Sequence, residues 1–139
     1  MNKIFTIGHS VVETKIFIKK LQENKIDILV DVRTKPYSSR VTQFNRETLS
    51  TELNRHEILY LYRGKNLGGL GENTNFNETI KELIALSKKK NIALMCSEGN
   101  YQKCHRYLML MPEFESKGIT VEHISWNTRK SGFQQKLFS

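Results

Sequence analysis

Short apolar runs recur along the chain without strict alternation, and helical periodicity fills the gaps between them. Ile4–Ile7 is the first run and stops at Gly8. Ile26–Val32 is the second, broken by Asp27 and ended by Asp31 and Arg33. Ile58–Tyr62, Ile92–Met95 and Val121–Ser125 follow. Runs of this kind suit parallel strands covered on both faces. Between them, Ile16, Phe17 and Leu21 can share one helical face, with Lys15, Lys19, Lys20 and Glu23 outside. Ser10-Val11-Val12-Glu13 matches a capping box for that helix, with Glu13 and Thr14 as alternative caps. Asn45–Asn54 sets Leu49 and Leu53 one turn apart. Asn75-Phe76-Asn77-Glu78 reads as a second capping box. The helix it opens turns Ile80, Leu83 and Ile84 inward and ends on Lys88-Lys89-Lys90, cations suited to the negative end of the dipole. Cys104–Met111 reads as helix until Pro112, which is expected to kink or restart it.

This alternation predicts a single α/β domain over residues 1–139. The expected core is a mostly parallel sheet of about five strands, with right-handed crossovers and helices on both faces. A basic tail without clear pattern begins at about Trp126. Two connections stand out. Arg33–Arg40 is polar, and Pro36 forces an extended or turning path at Lys35. Gly64 and Gly68-Gly69-Leu70-Gly71 form a glycine-rich connection. It lacks the spacing of a nucleotide fingerprint and reads as a mobile, lid-like loop.

Composition narrows the class. The 139 residues suffice for one core, and 38% hydrophobic with 26% charged residues excludes a disordered chain. No apolar run approaches the length of a membrane span. The first ten residues lack a signal-peptide pattern, so a cytoplasmic protein is expected, with its two cysteines as reduced thiols. The formal net charge of +8 favours polyanions. The expected partner is a phosphate-bearing small molecule or a nucleic acid. No membrane, cofactor or metal is expected, and nothing in the sequence defines an oligomeric state.

In an open α/β fold, ligands bind where strands end and helices begin. If the sheet is parallel, three polar strand ends share one edge. Gly8-His9-Ser10 closes the first strand. Asp31-Val32-Arg33, with Ser38, Ser39 and Arg40, closes the second. Cys96-Ser97-Glu98-Gly99 closes the fourth and leads to Cys104-His105-Arg106. Arg33, Arg40 and Arg106 suit an anion. Asp31 reads either as the group orienting Arg33 or His9, or as one half of a structural ion pair. Cys96 reads as a nucleophile at the mouth of the sheet or as a small core hydrophobe. Cys104 stands at a helix start, where unpaired N–H groups and Arg106 favour a thiolate, or it packs against the sheet. His105 is a candidate acid/base or a structural imidazole. Successive helical residues point about 100° apart, so Cys104, His105 and Arg106 share a pocket only if the helix starts after Cys104. Cys96, Cys104 and His105, with His9 or His123, have spacing too long for a zinc knuckle. A redox bridge between the two cysteines is compatible with their spacing. Tyr37, Phe44 and Tyr62 suit either stacking on a ring or packing.

The strand–thiol–loop–helix layout has a weak architectural likeness to rhodaneses and tyrosine phosphatases. Those enzymes place an arginine only a few residues after the cysteine, whereas ten steps separate Cys96 from Arg106 here. A stronger likeness rests on Thr6-Ile7-Gly8-His9-Ser10, Val30-Asp31-Val32-Arg33, Pro36, Ser39-Arg40, Phe44, Leu67-Gly68-Gly69, Cys96 with Glu98, and Cys104-His105-Arg106, in that order. This series resembles the family catalogued as domain of unknown function 488, from Thr6 to about His123. The resemblance implies a small α/β domain with polar motifs at one end and supplies no reaction. The length between Gly71 and Phe76 and the tail after Trp126 depart from it. The function expected from the residues is an enzyme with Cys96 or Cys104 as nucleophile and His105 or His9 as acid/base. Asp31 and Glu98 would orient the groups, while Gly8, Ser10, Arg33, Ser39, Arg40 and Arg106 would bind substrate. A non-catalytic nucleic-acid or anion-binding module and a thiol redox sensor are the alternatives.

Overall fold

The computed structural model describes residues 3–67, 75–100, 102 and 104–126. Its strands are β1 (Lys3–Gly8), β2 (Ile28–Asp31), β3 (Leu59–Tyr62), β4 (Ile92–Cys96) and β5 (Thr120–Ile124). They form one sheet in the order β3-β2-β4-β1-β5, with every pairing parallel. β2 and β4 are buried at every position, as their unbroken apolar runs predict, whereas the edge strands β3 and β5 are mostly exposed or half-buried. A strand needs an apolar residue at every position only where both of its faces are covered.

Helices α1 (Thr14–Glu23) and α2 (Arg46–Arg55) cover one face of the sheet. Phe17, Ile18, Leu21, Leu49 and Leu53 meet Phe5, Ile7, Leu29, Ala93 and Met95 there. The short α3 (Gly64–Leu67), α4 (Phe76–Ser87) and α5 (His105–Glu115) lie on the other face. Ile80, Leu83, Tyr107, Leu110 and Phe114 pack there on Ile4, Val30, Leu94 and Cys96. Adjacent residues of one strand thus serve opposite cores, as the two-residue period of a strand demands. Each fully buried Leu or Phe contributes roughly 1.5–3 kcal/mol.

The winding reverses once. From β1 the chain moves to β2 and outward to β3 with its helices on one face; it then returns to β4 and crosses to β5 with its helices on the other. A single crossover hand puts outward and return journeys on opposite faces. The loops leaving β1 and β2 therefore diverge from the loop leaving β4, which lies between them. That divergence opens a crevice at the carboxyl ends of the strands.

Several local expectations are corrected. Ile16 is 49% exposed and Ile18 takes its place in the core, because α1 buries positions 17, 18 and 21. Neither capping box forms. Glu13 caps α1 without a side-chain bond, and Ser10 turns the chain at a φ of 52° instead. Asn75 caps α4 in the left-handed region, where its carbonyl accepts the amide and hydroxyl of Thr79. Helix α5 continues through Pro112. The hydrogen bond lost there is the one to Leu108, and both residues are exposed. The glycines at 68, 69 and 71 and the tail from 127 lie outside the described residues. No helix among the described residues is long and apolar enough to cross a membrane.

Candidate functional site

The end of β1 is pressed against the loop after β4. His9 N–H donates to the Cys96 carbonyl at 2.9 Å and Ser10 N–H to the Ser97 carbonyl at 3.0 Å, which carries the parallel pairing past the strand ends. Gly8 permits this approach, because a Cβ there would sit 1.7 Å from the Glu98 carbonyl oxygen.

The end of β2 is built around Asp31, which is fully buried. Its Oδ1 accepts the Arg33 amide at 3.0 Å and Nε–H at 2.9 Å. Its Oδ2 accepts Arg33 Nη2–H at 2.8 Å and the Tyr60 hydroxyl at 2.6 Å. A carboxylate has about four acceptor positions, and these four bonds fill them. Arg33 Nη2 also donates to the Phe44 carbonyl at 2.8 Å, and Nη1 donates to Nε2 of His9 at 3.3 Å. A guanidinium carries five N–H bonds. Four are engaged among the described residues, which leaves one Nη1 hydrogen.

His9 stacks on Phe44 with centroids 4.5 Å apart and donates from Nδ1 to the Ser10 carbonyl at 2.7 Å. Because a guanidinium only donates, Nε2 must accept and Nδ1 must carry the proton. Burial, reinforced by the charge of Arg33, pushes the His9 pKa from 6.5 down to about 4. The imidazole is therefore neutral at pH 7 and has both nitrogens occupied.

Together these strand ends border a cleft of about 470 Å³. His9, Ser10, Arg33, Arg40 and Glu98, all expected from the sequence, line it. Lys35, Thr34 and Ser97, to which the sequence reading gave no role, line it too, as does Tyr37, whose sequence reading was stacking on a ring or packing. Ser38 holds the loop in shape. Its Oγ accepts the amides of Arg40 and Val41 at 3.0 and 3.3 Å, and its own amide donates to Asn45 Oδ1 at 2.7 Å. The buried Thr34 hydroxyl has no hydrogen-bond partner among the described residues. Glu98 accepts the Asn100 amide at 3.0 Å. Gly8 and Asp31 lie behind the cleft, and Ser39 is exposed beside it.

The cysteines occupy a different place. The expectation that their sulfurs share the cleft with His9 and Arg33 is not met. Cys96 follows Met95 on β4, so it points to the α4/α5 core, while Met95 points to the core that contains Phe44. Cys96 is wholly buried and Cys104 is 4% exposed. Both are reduced, with their Sγ atoms 3.1 Å apart. The hydrogen bond from Cys104, followed by burial, pushes the Cys96 thiol well above its ordinary pKa. The Tyr107 hydroxyl lies beneath them. It accepts the amides of Ile7 and Cys96, each at 3.1 Å, and shares its hydrogen between the Ile7 and Leu94 carbonyls. Helix α5 does start immediately after Cys104, its N-cap. The side chains of His105 and Arg106 lie outside what the structure describes. Among the described residues, no group of three or more His, Cys, Asp or Glu side chains is placed to hold a metal ion.

Tyr60 and Lys35 escaped the sequence reading for different reasons. Tyr60 reaches Asp31 from the neighbouring strand, a relation that needs the strand order. Lys35 sits in a segment whose polarity was legible but whose path was not.

A parallel α/β domain with a polar cleft at the carboxyl ends of its strands is the class that fold and site define. The chain belongs to the family described as Domain of unknown function DUF488, whose family model matches residues 13–75 and 69–110. The matched stretches include Asp31, Arg33, Arg40, Cys96, Glu98 and Cys104 and leave His9 outside. Neither a curated protein nor a solved structure matches the chain.

Proposed function

We propose that this protein is a cytoplasmic domain that binds a phosphate-bearing ligand in the cleft at the ends of β1, β2 and β4. One observation carries the reading: the buried guanidinium of Arg33, fixed by Asp31, Phe44 and His9, lines the cleft and keeps one N–H without a partner among the described residues. A guanidinium already held in place loses little freedom when it meets an anion. Lys35 and Arg40 add exposed cations to the same cleft, and the net charge of +8 raises the encounter rate with anions. Thiol catalysis drops out of this reading, because both sulfurs are packed in the α4/α5 core and neither cysteine lines the cleft.

Calorimetry at low salt with inorganic phosphate, pyrophosphate and nucleoside monophosphates tests it. Saturable binding is expected. Arg40→Gln should weaken it roughly tenfold, the worth of one charge-assisted hydrogen bond, with little change in melting temperature. Absence of binding by any of these anions would sink the reading.

A second reading, a thiol redox sensor, is favoured by the 3.1 Å contact of the two sulfurs. With hydrogen peroxide as oxidant, the two thiols would give up two protons and two electrons to form one S–S bond, and the peroxide would be reduced to two waters. Non-reducing mass spectrometry after mild peroxide should then show the loss of two hydrogens in wild type and not in Cys104→Ser. Persistence of both free thiols would exclude it.

A further inference from the structure

The cleft is cationic along one wall and apolar at its rim. Val11 and Tyr37, at 67% and 56% exposure, are the two most exposed large hydrophobic side chains among the described residues, and both line it. Leaving such groups in water contributes nothing to the core, yet Tyr37 is held firmly. Its hydroxyl donates to Glu47 of α2 at 2.9 Å. On one side, the Pro36 carbonyl accepts the Arg46 amide at 3.0 Å; on the other, the Ser38 amide donates to Asn45 at 2.7 Å. An aromatic plane pinned while exposed is pre-organised for a flat partner and loses little entropy on meeting one. The volume of about 470 Å³ lies within the usual range for small-molecule sites and exceeds what a phosphate alone would fill.

Resting on the phosphate reading above, we infer that the ligand is a nucleotide. Its phosphate meets Arg33 and Arg40, and its base meets Tyr37, with Val11 supplying a second apolar contact. Base–aromatic stacking is worth about 1–3 kcal/mol and tolerates any base. Tyr37 therefore selects for the presence of a heterocycle rather than for its identity. The same chemistry is offered by a free mononucleotide and by the terminal nucleotide of a strand.

The full chain is titrated calorimetrically at low salt with adenosine 5′-monophosphate, ribose 5-phosphate and a short 5′-phosphorylated single strand. The nucleotide should bind about tenfold more tightly than ribose 5-phosphate, as one stacked base predicts. Tyr37→Ala should erase that difference, while Tyr37→Phe, which keeps the ring and loses its bond to Glu47, should retain most of it. Because Tyr37 is exposed, these variants should fold as wild type does. Tighter binding of the strand identifies a strand end as the source, and equal binding identifies the free nucleotide. Equal affinity of wild type for nucleotide and ribose 5-phosphate would overturn the nucleotide inference and leave phosphate binding standing. Failure to bind either would overturn both.

Discussion

Arg33 donates to Nε2 of His9 across 3.3 Å, and that bond decides what the imidazole can do. With Nδ1–H committed to Ser10, neither nitrogen is free to move a proton, so His9 serves as an acceptor that steadies the guanidinium. The consequence for stability has a definite sign. The folded-state pKa of about 4 lies below the ordinary 6.5, so the unfolded chain takes up the proton more readily. Stability is therefore lost as pH falls from about 6.5 to about 4, by on the order of 3 kcal/mol. Urea midpoints measured between pH 7 and 4 should show this slope in wild type. It should be flatter in His9→Gln, which keeps an acceptor and cannot titrate. Parallel profiles would contradict the assignment.

Removing the Asp31 charge should be more damaging than its single position suggests. Asp31→Asn leaves the Arg33 guanidinium buried without its counter-charge and disturbs all four bonds to the carboxylate. A loss of about 3–5 kcal/mol is expected in equilibrium denaturation. Tyr60→Phe, which removes one of those bonds, should cost about 1.5–3 kcal/mol.

Gly8 and Gly118 offer a controlled contrast. A Cβ on Gly8 collides with the Glu98 backbone, whereas a Cβ on Gly118 has nothing within 4 Å and faces only the strain of a φ of +81°. Gly118→Ala should cost about 1–2 kcal/mol and leave ligand affinity unchanged. Gly8→Ala should cost more than that, because backbone cannot swing aside as a side chain can. It should also weaken anion binding, since the loop displaced is one wall of the cleft. Melting temperatures and calorimetric affinities measured together separate the two effects.

The Tyr107 hydroxyl joins α5 to the carboxyl ends of β1 and β4. Tyr107→Phe strips a partner from the Ile7 and Cys96 amides in a place where water does not reach. A destabilisation of about 2–3 kcal/mol is expected. Hydrogen exchange should show those two amides losing protection while the α1 amides keep theirs.

The strands were legible because burial on both faces demands unbroken apolar runs, as in Ile28–Asp31 and Ile92–Cys96. The clustering of His9, Arg33, Arg40 and Glu98 followed from one inference, that parallel strands bring their ends to a common edge. What misled was parity. Cys96 is the last residue of its strand, and nothing local says to which face an end residue points; Met95, one step earlier, belongs to the opposite core. The two capping boxes failed for a similar reason. Their spacing was correct, but Ser10 and Asn75 adopt left-handed backbone conformations required by their surroundings. Tyr37 was legible as an aromatic near a strand end, and only the fold shows that it remains exposed.

β4 occupies the slot between β1 and β2, which share no hydrogen bonds with each other. While the polypeptide is being made, therefore, its earliest two strands have no common neighbour until residues 92–96 leave the ribosome. Until then the nascent chain carries open strand edges, a state that invites wrong pairing and chaperone contact. The cleft takes shape only when the fourth strand pairs with both the first and the second and so draws the two halves of the molecule together.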